Sequence, residues 1–337
     1  DGLDANQWYT RWPIPSKDTT YTVTVSNFSV PGLGSQTQIY NVTVYNPSDR
    51  GDNEEAAQII GPAIGVAGVS TDYSFTPVSF AESYEVMLAS VAEEEFFEGG
   101  ESGSGNLIDS TSPSYELICS EASSAGSHAL HLAHPNAASE SFELDNTFVP
   151  STASALYFDS QLGYATTDES LQVQISRDDG TSWETIYEEV GCGGFCQSSF
   201  TPRTVPLVDY ADSFIRIRFL YHYGGGYYYS CTSTNCGLLV DNIQLEDVAE
   251  VIEADIEPAA DPTFSLTASA PGNYVLAARA IPWEGYPGID WGPFFYLTMN
   301  TRIELSDAIA VLRSLESGSD RYTLADAIEV LKVFDGN

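Results

Sequence analysis

The segment QVQISRDDGTSWETIY, residues 172–187, carries the strongest fold signal in the chain. On each side of Asp178, Asp179 and Gly180 the residues alternate between apolar and polar, which is the two-residue period of a half-buried β-strand. An Asp-Asp-Gly turn between two such runs predicts a β-hairpin. The hairpin indicates the structural class of the centre of the chain, because the neighbouring segments show the same period.

Short β-strands separated by polar turns are predicted over most of the remaining sequence. Alternating or β-branched and aromatic runs mark residues 21–30, 37–46 and 83–92, and residues 263–300 contain three more. These last three strands are too few for an immunoglobulin- or fibronectin-like sandwich of about seven. They either complete a sheet begun in residues 1–92, with the central part inserted between, or form a small sheet against a neighbour.

The end of the chain differs from the rest. Residues 305–313 (LSDAIAVLR) and 324–332 (LADAIEVLK) repeat one phrase with Leu and Ile on a helical stripe, and they predict two short helices. Residues 246–262 are acidic and rich in Pro and Ala, which indicates a linker or a connecting strand. We therefore expect a mainly β protein in four parts: part of a β-sandwich (1–92), a central β-domain (93–246), immunoglobulin- or fibronectin-like strands (247–300) and a helix pair (301–337).

The charge of the chain is strongly negative. The 337 residues include 48 Asp and Glu but only 12 Lys and Arg, so the net charge is −36. Such a charge repels nucleic-acid phosphates and anionic lipid headgroups, and neither is an expected partner. No apolar run reaches the roughly 18 residues of a membrane-spanning helix, so membrane insertion is not expected either.

Four of the five cysteines form two close pairs in the sequence, Cys192 with Cys196 and Cys231 with Cys236. Two disulfides, local or crossed, are the expected use. Zinc ligation is the less favoured alternative, because the spacing is not C-x2-C and no matched histidine pair is present. Disulfides persist in oxidising compartments, so an extracellular or cell-surface location is expected.

The order of motifs in the central part resembles the cleaved-adhesin, or choice-of-anchor J, jelly rolls, which look like MAM domains in architecture. The motifs are FFEGGESG (96–103), HALHL (128–132), the hairpin (172–187) and the closing GLLVDNIQL (237–245). The resemblance covers residues 96–245. It implies a jelly-roll β-sandwich on secreted or surface proteins of bacteria, used for adhesion, for carbohydrate contact or as an accessory to hydrolases.

The same resemblance implies a structural calcium ion where the first and last strands of the jelly roll meet. By position, Glu98 and Asp241 match the family's oxygen ligands, and carboxylates are the ligands that Ca²⁺ requires. Asn242 replaces a second Asp of the family pattern, which weakens the match. Without an ion, Asp241 would cap a bulge and Glu98 would be solvated.

The turn of the hairpin also matches the Asp-box pattern S-x-D-x-G-x-T-W, at Ser176, Asp178, Gly180 and Trp183, with Ser182 in place of Thr. Its expected use is structural: Asp178 accepts backbone N–H groups, Gly180 supplies a positive φ and Trp183 packs beneath the turn. Sialidase-like propellers repeat the box in each blade, whereas this chain has it once. A sialidase is therefore not expected.

The predicted helix pair, residues 305–332, resembles dockerin repeats, which carry a similar L-x-DAI-x-VL phrase. Dockerins place a D-x-D-x-D-G calcium loop before each helix, and this chain lacks both loops. The helices are either an interaction module or a plain cap on the β-domain.

A run of aromatic residues, YHYGGGYYY, is the main candidate contact surface. Tyrosine-rich loops suit contact with sugars or protein partners, and the alternative is packing within the loops beside the cysteines. The candidate contact residues are Tyr221, Tyr223, Tyr227, Tyr228 and Tyr229.

Catalytic patterns are missing from the sequence. It contains no G-x-S-x-G, HExxH, P-loop or Rossmann fingerprint. The histidines of HALHLAH point to alternating faces of a predicted strand, so His128, His131 and His134 are expected to be ordinary surface or half-buried residues. We do not expect an enzyme.

Two non-enzymatic functions follow. The first is a self-assembling subunit of a bacterial surface filament or sheath, in which copies of the chain exchange strands at the open edges of incomplete sandwiches. The aromatic-rich residues 1–13 are the candidate donated segment. The alternative is a carbohydrate-binding accessory module of a secreted hydrolase or adhesin.

Overall fold

The computed structural model describes residues 19–30, 34–44, 56–78, 81–93, 95–282, 290–302, 309 and 311–313. Within these ranges β-strands are the main secondary structure, with a short 3-10 helix at Val208–Tyr210, and the predicted mainly β fold is confirmed. The segment 1–13 and most of the predicted helix pair lie outside the described residues. Ile309 and residues 311–313 are helical.

Twenty-two strands are described. In chain order they are β1 (Thr19–Val30), β2 (Gly34–Val44), β3 (Ile59–Ile60), β4 (Ile64–Val66), β5 (Thr71–Phe75), β6 (Ala81–Glu93), β7 (Phe96–Glu98), β8 (Leu107–Asp109), β9 (Ile118–Cys119), β10 (Ala129–Leu132), β11 (Glu140–Leu144), β12 (Phe148–Leu162), β13 (Tyr164–Ala165), β14 (Glu169–Ser176), β15 (Glu184–Val190), β16 (Gly194–Phe195), β17 (Thr201–Pro206), β18 (Arg216–Tyr223), β19 (Leu238–Ala259), β20 (Thr263–Leu266), β21 (Gly272–Pro282) and β22 (Phe295–Asn300).

The central part is a sandwich of two sheets. One sheet has the order β15-β14-β18-β11-β8, and the other contains β17, β12 and the first half of β19, flanked by β7, β9 and β10. Side chains from both sheets form one buried core, in which Phe142, Phe158 and Phe219 meet ring to ring. The alternating residues of the hairpin supply Leu171, Val173 and Ile175 to this core, as their period requires.

A second sandwich uses strands from before and after the central part. Its larger sheet runs from the second half of β19 through β6, β21 and β22 to β4, and a small sheet of order β20-β5-β3 faces it. Tyr73, Phe75, Tyr84, Leu276 and Met299 belong to its core. Strand β6 pairs with β21 from Ala81 to Val91, so segments almost two hundred residues apart share this sheet.

Strand β19 belongs to both sandwiches. Its residues Leu238–Glu250 pair with β12, and its residues Ala249–Ala259 pair with β6. The acidic segment 246–262, read from sequence as a linker or a connecting strand, is therefore mostly strand. None of the described helical residues forms a helix long and apolar enough to cross a membrane.

Candidate functional site: an aromatic row beside two disulfides

Four aromatic rings form a continuous, largely exposed row at one end of the central sandwich. The ring of Tyr164 lies 5.2 Å from Phe195 and 5.2 Å from Tyr229, and Tyr229 lies 5.5 Å from Tyr227. Tyr227 is 70% exposed, Phe195 44% and Tyr164 40%. We call Phe195, Tyr164, Tyr229 and Tyr227 the aromatic row.

Main-chain hydrogen bonds hold the segments that carry the row. Tyr164 in β13 pairs with Phe195 in β16, and its backbone N–H donates to the carbonyl of Asn235 at 2.7 Å. Gly163 permits this approach, because a Cβ on residue 163 would collide with the carbonyl of Asn235. Tyr164 is therefore fixed to the segment of Phe195 and to the segment that holds Cys236, both distant in sequence.

Both disulfides lie beside the row. Cys192 pairs with Cys196 around the loop that carries Phe195, and Cys231 pairs with Cys236 in the segment after Tyr229. Of the two arrangements left open by the sequence, the local one is present. Cys119 is unpaired. Each disulfide closes a short loop. This restricts the conformations of the unfolded chain near the row, so less entropy is lost when the row becomes ordered.

The five candidate tyrosines separate into three environments. Tyr227 and Tyr229 belong to the row. Tyr223 and Tyr228 pack edge-on against His134, with ring centroids 5.7 and 6.3 Å away. Tyr221 is 1% exposed in the core, so its assignment to a contact surface is wrong: the inward face of β18 places its ring inside.

Tyr164 and Phe195, the other half of the row, were not predicted as contact residues. Tyr164 follows the end of a strand without any local signal of exposure. Phe195 could have been found, since it is an aromatic residue in a Gly-rich tip between two cysteines, GCGGFC.

A buried polar cluster lies beneath Tyr223 and Tyr228. The ring of His134 stacks on Tyr221 at 4.1 Å, and its Nε2 lies 3.5 Å from Oε1 of Glu169, with both side chains almost fully buried. Oε2 of Glu169 accepts the backbone N–H of Thr166 at 2.5 Å. Burial lowers the pKa of His134 to about 4 and raises that of Tyr221.

Two of the histidines are more deeply buried than the sequence predicted. His131 is 4% exposed and His134 1%. The ring of His131 bridges the carbonyl of Cys236 and the hydroxyl of Tyr115, each at 2.8 Å. The prediction of ordinary surface or half-buried residues was wrong for both, because residues far away in sequence cover them.

The carboxylates proposed as calcium ligands hold backbone N–H groups. Oε1 of Glu98 accepts from Gly99 at 2.9 Å and from Gly100 at 2.7 Å. Asp241 accepts from three backbone N–H groups, those of Asn242, Ser124 and Ala125. Glu98, 4% exposed, is buried rather than solvated.

These two carboxylates alone do not supply the six to eight oxygens that Ca²⁺ takes. The described residues contain no group of three or more His, Cys, Asp or Glu side chains placed to hold a metal. Both carboxylates act as anchors for loops, and a calcium ion between them stays a prediction.

We expect Asp241→Ala to lower the free energy of unfolding by about 2 kcal/mol, because three backbone N–H groups lose a charged acceptor. Urea denaturation followed by circular dichroism measures this, with Glu246→Ala, an exposed acid of the same strand, as the control. Repeating both with calcium and with a chelator tests the ion. Calcium should stabilise the wild type and not the variant if Asp241 is a ligand, and neither protein if it is only an anchor.

The Asp-box turn has the predicted internal bonds. Asp178 accepts from the hydroxyl of Ser182 at 2.6 Å, from its backbone N–H at 2.8 Å and from the hydroxyl of Ser176 at 2.8 Å. These bonds, the Ser182 hydroxyl foremost, lower the pKa of Asp178 to about 2. Gly180 has φ +82°, and the indole N–H of Trp183 donates to the carbonyl of Gly180. The box stabilises the hairpin and forms no part of the row.

Together, fold and site define a mainly β protein of two sandwiches that share a strand and present an aromatic row. No protein-family model and no curated protein matches the sequence. Among solved structures, the chain is similar to a xylan-binding domain from carbohydrate-binding module family 22, at 13% identity over 45% of this chain and 93% of that one, with a TM-score of 0.29.

Two further solved structures are similar to this chain at comparable identity and TM-score. The glycoside hydrolase domain of Endo-D from Streptococcus pneumoniae is 11% identical over 63% of this chain and 37% of its own, with a TM-score of 0.29. The VP2 subviral particle of infectious bursal disease virus is 10% identical over 98% and 96%, with a TM-score of 0.23. All these TM-scores are below 0.5, so none of these likenesses assigns a function to this chain.

Proposed function

We propose that this chain is a non-catalytic binding protein of the cell exterior whose aromatic row holds carbohydrate. The observation that carries the proposal is the row itself: four adjoining rings, of which three are exposed and Tyr229 is half-buried, beside two disulfides. Strand pairing holds Tyr164 and Phe195. Tyrosine combines a flat apolar ring with a hydroxyl that remains hydrated, and a sugar likewise has apolar C–H faces and hydroxyl edges. Such a surface loses little side-chain entropy on binding, because a tyrosine has two side-chain torsions.

The charge of the protein restricts the class of carbohydrate. A net charge of −36 creates a negative potential around the whole chain, and Asp168 lies next to Gly226 in the loop before Tyr227. Sulfated and uronic-acid glycans would be repelled. Neutral glycans are the expected ligands.

The non-catalytic part of the proposal is supported by the chemistry of the row, which offers rings and phenol hydroxyls. Glycoside hydrolysis uses a pair of carboxyl groups on either side of the scissile bond. The row carries no carboxylate among its four members. The location outside the cell is supported by the two disulfides, which an oxidising compartment preserves.

A panel of neutral and acidic glycans, with isothermal titration for those that bind, tests the proposal. We expect Tyr227→Ala with Tyr229→Ala to weaken binding of a neutral glycan by about tenfold or more, since two stacking rings are removed. The same two positions changed to Phe keep the rings and should retain most of the affinity. Phe97→Ala is the matched control, because Phe97 is an aromatic residue 51% exposed on β7.

Two results would contradict the proposal. One is a wild-type protein that binds no neutral glycan on the panel. The other is a double alanine variant that binds as tightly as the wild type and as Phe97→Ala.

A further inference from the structure

The second half of β19 has an open edge. Strands β12 and β6 pair with opposite sides of β19 and overlap only at Ala249 and Glu250. Beyond Val251, whose N–H donates to the carbonyl of Thr147, no strand of the described ranges occupies the β12 side. Residues 252–258 are all exposed. A row of backbone groups is thus left free to pair with another strand.

A groove lined by both apolar and acidic residues lies beside this open edge. It lies between β19 and β20, and its floor includes Val86, Leu88, Phe264 and Leu266. Asp255 pairs with Leu88 and Glu257 pairs with Val86, so the two acids stand on the same face of the sheet as the groove. A strand added to β19 would cover the groove, provided that it brought apolar residues and no further negative charge.

One part of this acidic chain meets that requirement. Residues 19–44 form the hairpin of β1 and β2 and contain no Asp, Glu, Lys or Arg. Among the described strands longer than four residues, only β1 and β2 combine an uncharged sequence with an edge that no described strand covers.

The amino-acid sequence of the hairpin also alternates, with Tyr21, Val23 and Val25 set between Thr20, Thr22 and Thr24. Its register pairs Tyr21 with Val42 and Val23 with Tyr40. An isolated two-stranded hairpin is only marginally stable in water, so a partner sheet would stabilise it.

We propose that the β1–β2 hairpin of one copy adds to the open edge of β19 in a second copy. Main-chain hydrogen bonds would extend the ten-stranded sheet, and the apolar side of the hairpin would cover the groove. Asp255 and Glu257 make the pairing selective, because they repel charged edges such as acidic β15 and tolerate the uncharged hairpin. Each copy carries one donor and one acceptor, so the contact is head to tail and builds a chain of copies unless it closes into a ring.

Analytical ultracentrifugation and negative-stain electron microscopy of the full chain test this proposal. We expect wild-type protein to form larger species as its concentration rises. Val23→Glu should weaken association by about tenfold or more, because it brings a carboxylate to Asp255 and Glu257. Val190→Glu, at a position 56% exposed on β15, is the matched control and should associate as the wild type does.

A charge exchange makes the test specific to these two surfaces. In the Val23→Glu background, Asp255→Lys with Glu257→Lys should restore association, which loss of folding could not explain. Circular dichroism confirms that each variant is folded.

Three outcomes would overturn the proposal. The first is a wild type that stays monomeric at all concentrations, and the second is a Val23→Glu variant that associates normally. The third is a charge-exchange variant whose hairpin docks within a single monomer and does not join two copies. Glycan binding by the aromatic row should be unchanged in all these variants, so the two proposals fail independently.

Discussion

Replacing Phe219 by alanine is expected to destabilise the central sandwich by about 3–5 kcal/mol. Phe219 is fully buried in the middle of β18. Its ring stacks on Phe142 at 5.1 Å and meets Phe158 edge to face at 5.2 Å. Truncation removes both contacts and leaves a cavity between the two sheets, which the surrounding strands cannot fill without leaving their registers.

Urea denaturation at pH 7 measures the effect of Phe219→Ala. The control is Val190→Ala, which shortens an apolar side chain that is 56% exposed at the end of β15 and should change the stability little. If Phe219→Ala lowers the free energy of unfolding by less than about 1 kcal/mol, the two sheets do not share a tightly packed core around Phe219.

Acidification is expected to reduce the stability through His134. Its pKa is lowered from 6.5 to about 4 in the folded protein because its ring is buried. Between these two values the unfolded chain takes up a proton that the folded chain does not. The free energy of unfolding therefore falls as the pH drops from 6.5 towards 4, by about 3 kcal/mol, and the histidine contributes no pH dependence above that range.

The groups that face His134 are Glu169, Tyr221, Tyr223 and Tyr228. The backbone of His222 raises the pKa of His134, and the charge of the His222 ring lowers it by less. His134→Gln removes the titrating ring and leaves these groups in place. Its stability loss between pH 7 and pH 4 should be smaller than that of the wild type by about 3 kcal/mol.

Urea denaturation at both pH values supplies the comparison. His128→Gln controls for the loss of one histidine, because His128 lies outside the cluster, beside Glu101. Equal pH dependence in wild type and His134→Gln would show that burial of His134 is not linked to stability.

The parts of the structure that were predictable from sequence are local. The hairpin of β14 and β15, with its Asp-box bonds, depends on residues at most twenty positions apart, and the two disulfides close loops of a few residues. In each case the residues that signal the structure are also the residues that form it.

The candidate site was only half predictable. Tyr227 and Tyr229 stand out as part of a tyrosine run, but Tyr164 reaches the row through pairing with the segments of Phe195 and Cys236. The burial of Tyr221 and His134 likewise follows from segments that meet only in the folded chain. Alternation of apolar and polar residues shows that one face of a strand is covered. It does not show which neighbouring strand or segment covers that face.

The amino-acid sequence by itself determined the β-strand content, the turn chemistry of the Asp-box hairpin, the four cysteines that form disulfides and an excess of negative charge. The tertiary structure alone decided that β19 serves two sandwiches, that four rings adjoin, and that none of the described strands covers one edge of β19 beside a groove. The physical reason is that side-chain periodicity and turn preferences act over a few residues, whereas strand order is set by the burial of surfaces contributed by segments far apart in the chain.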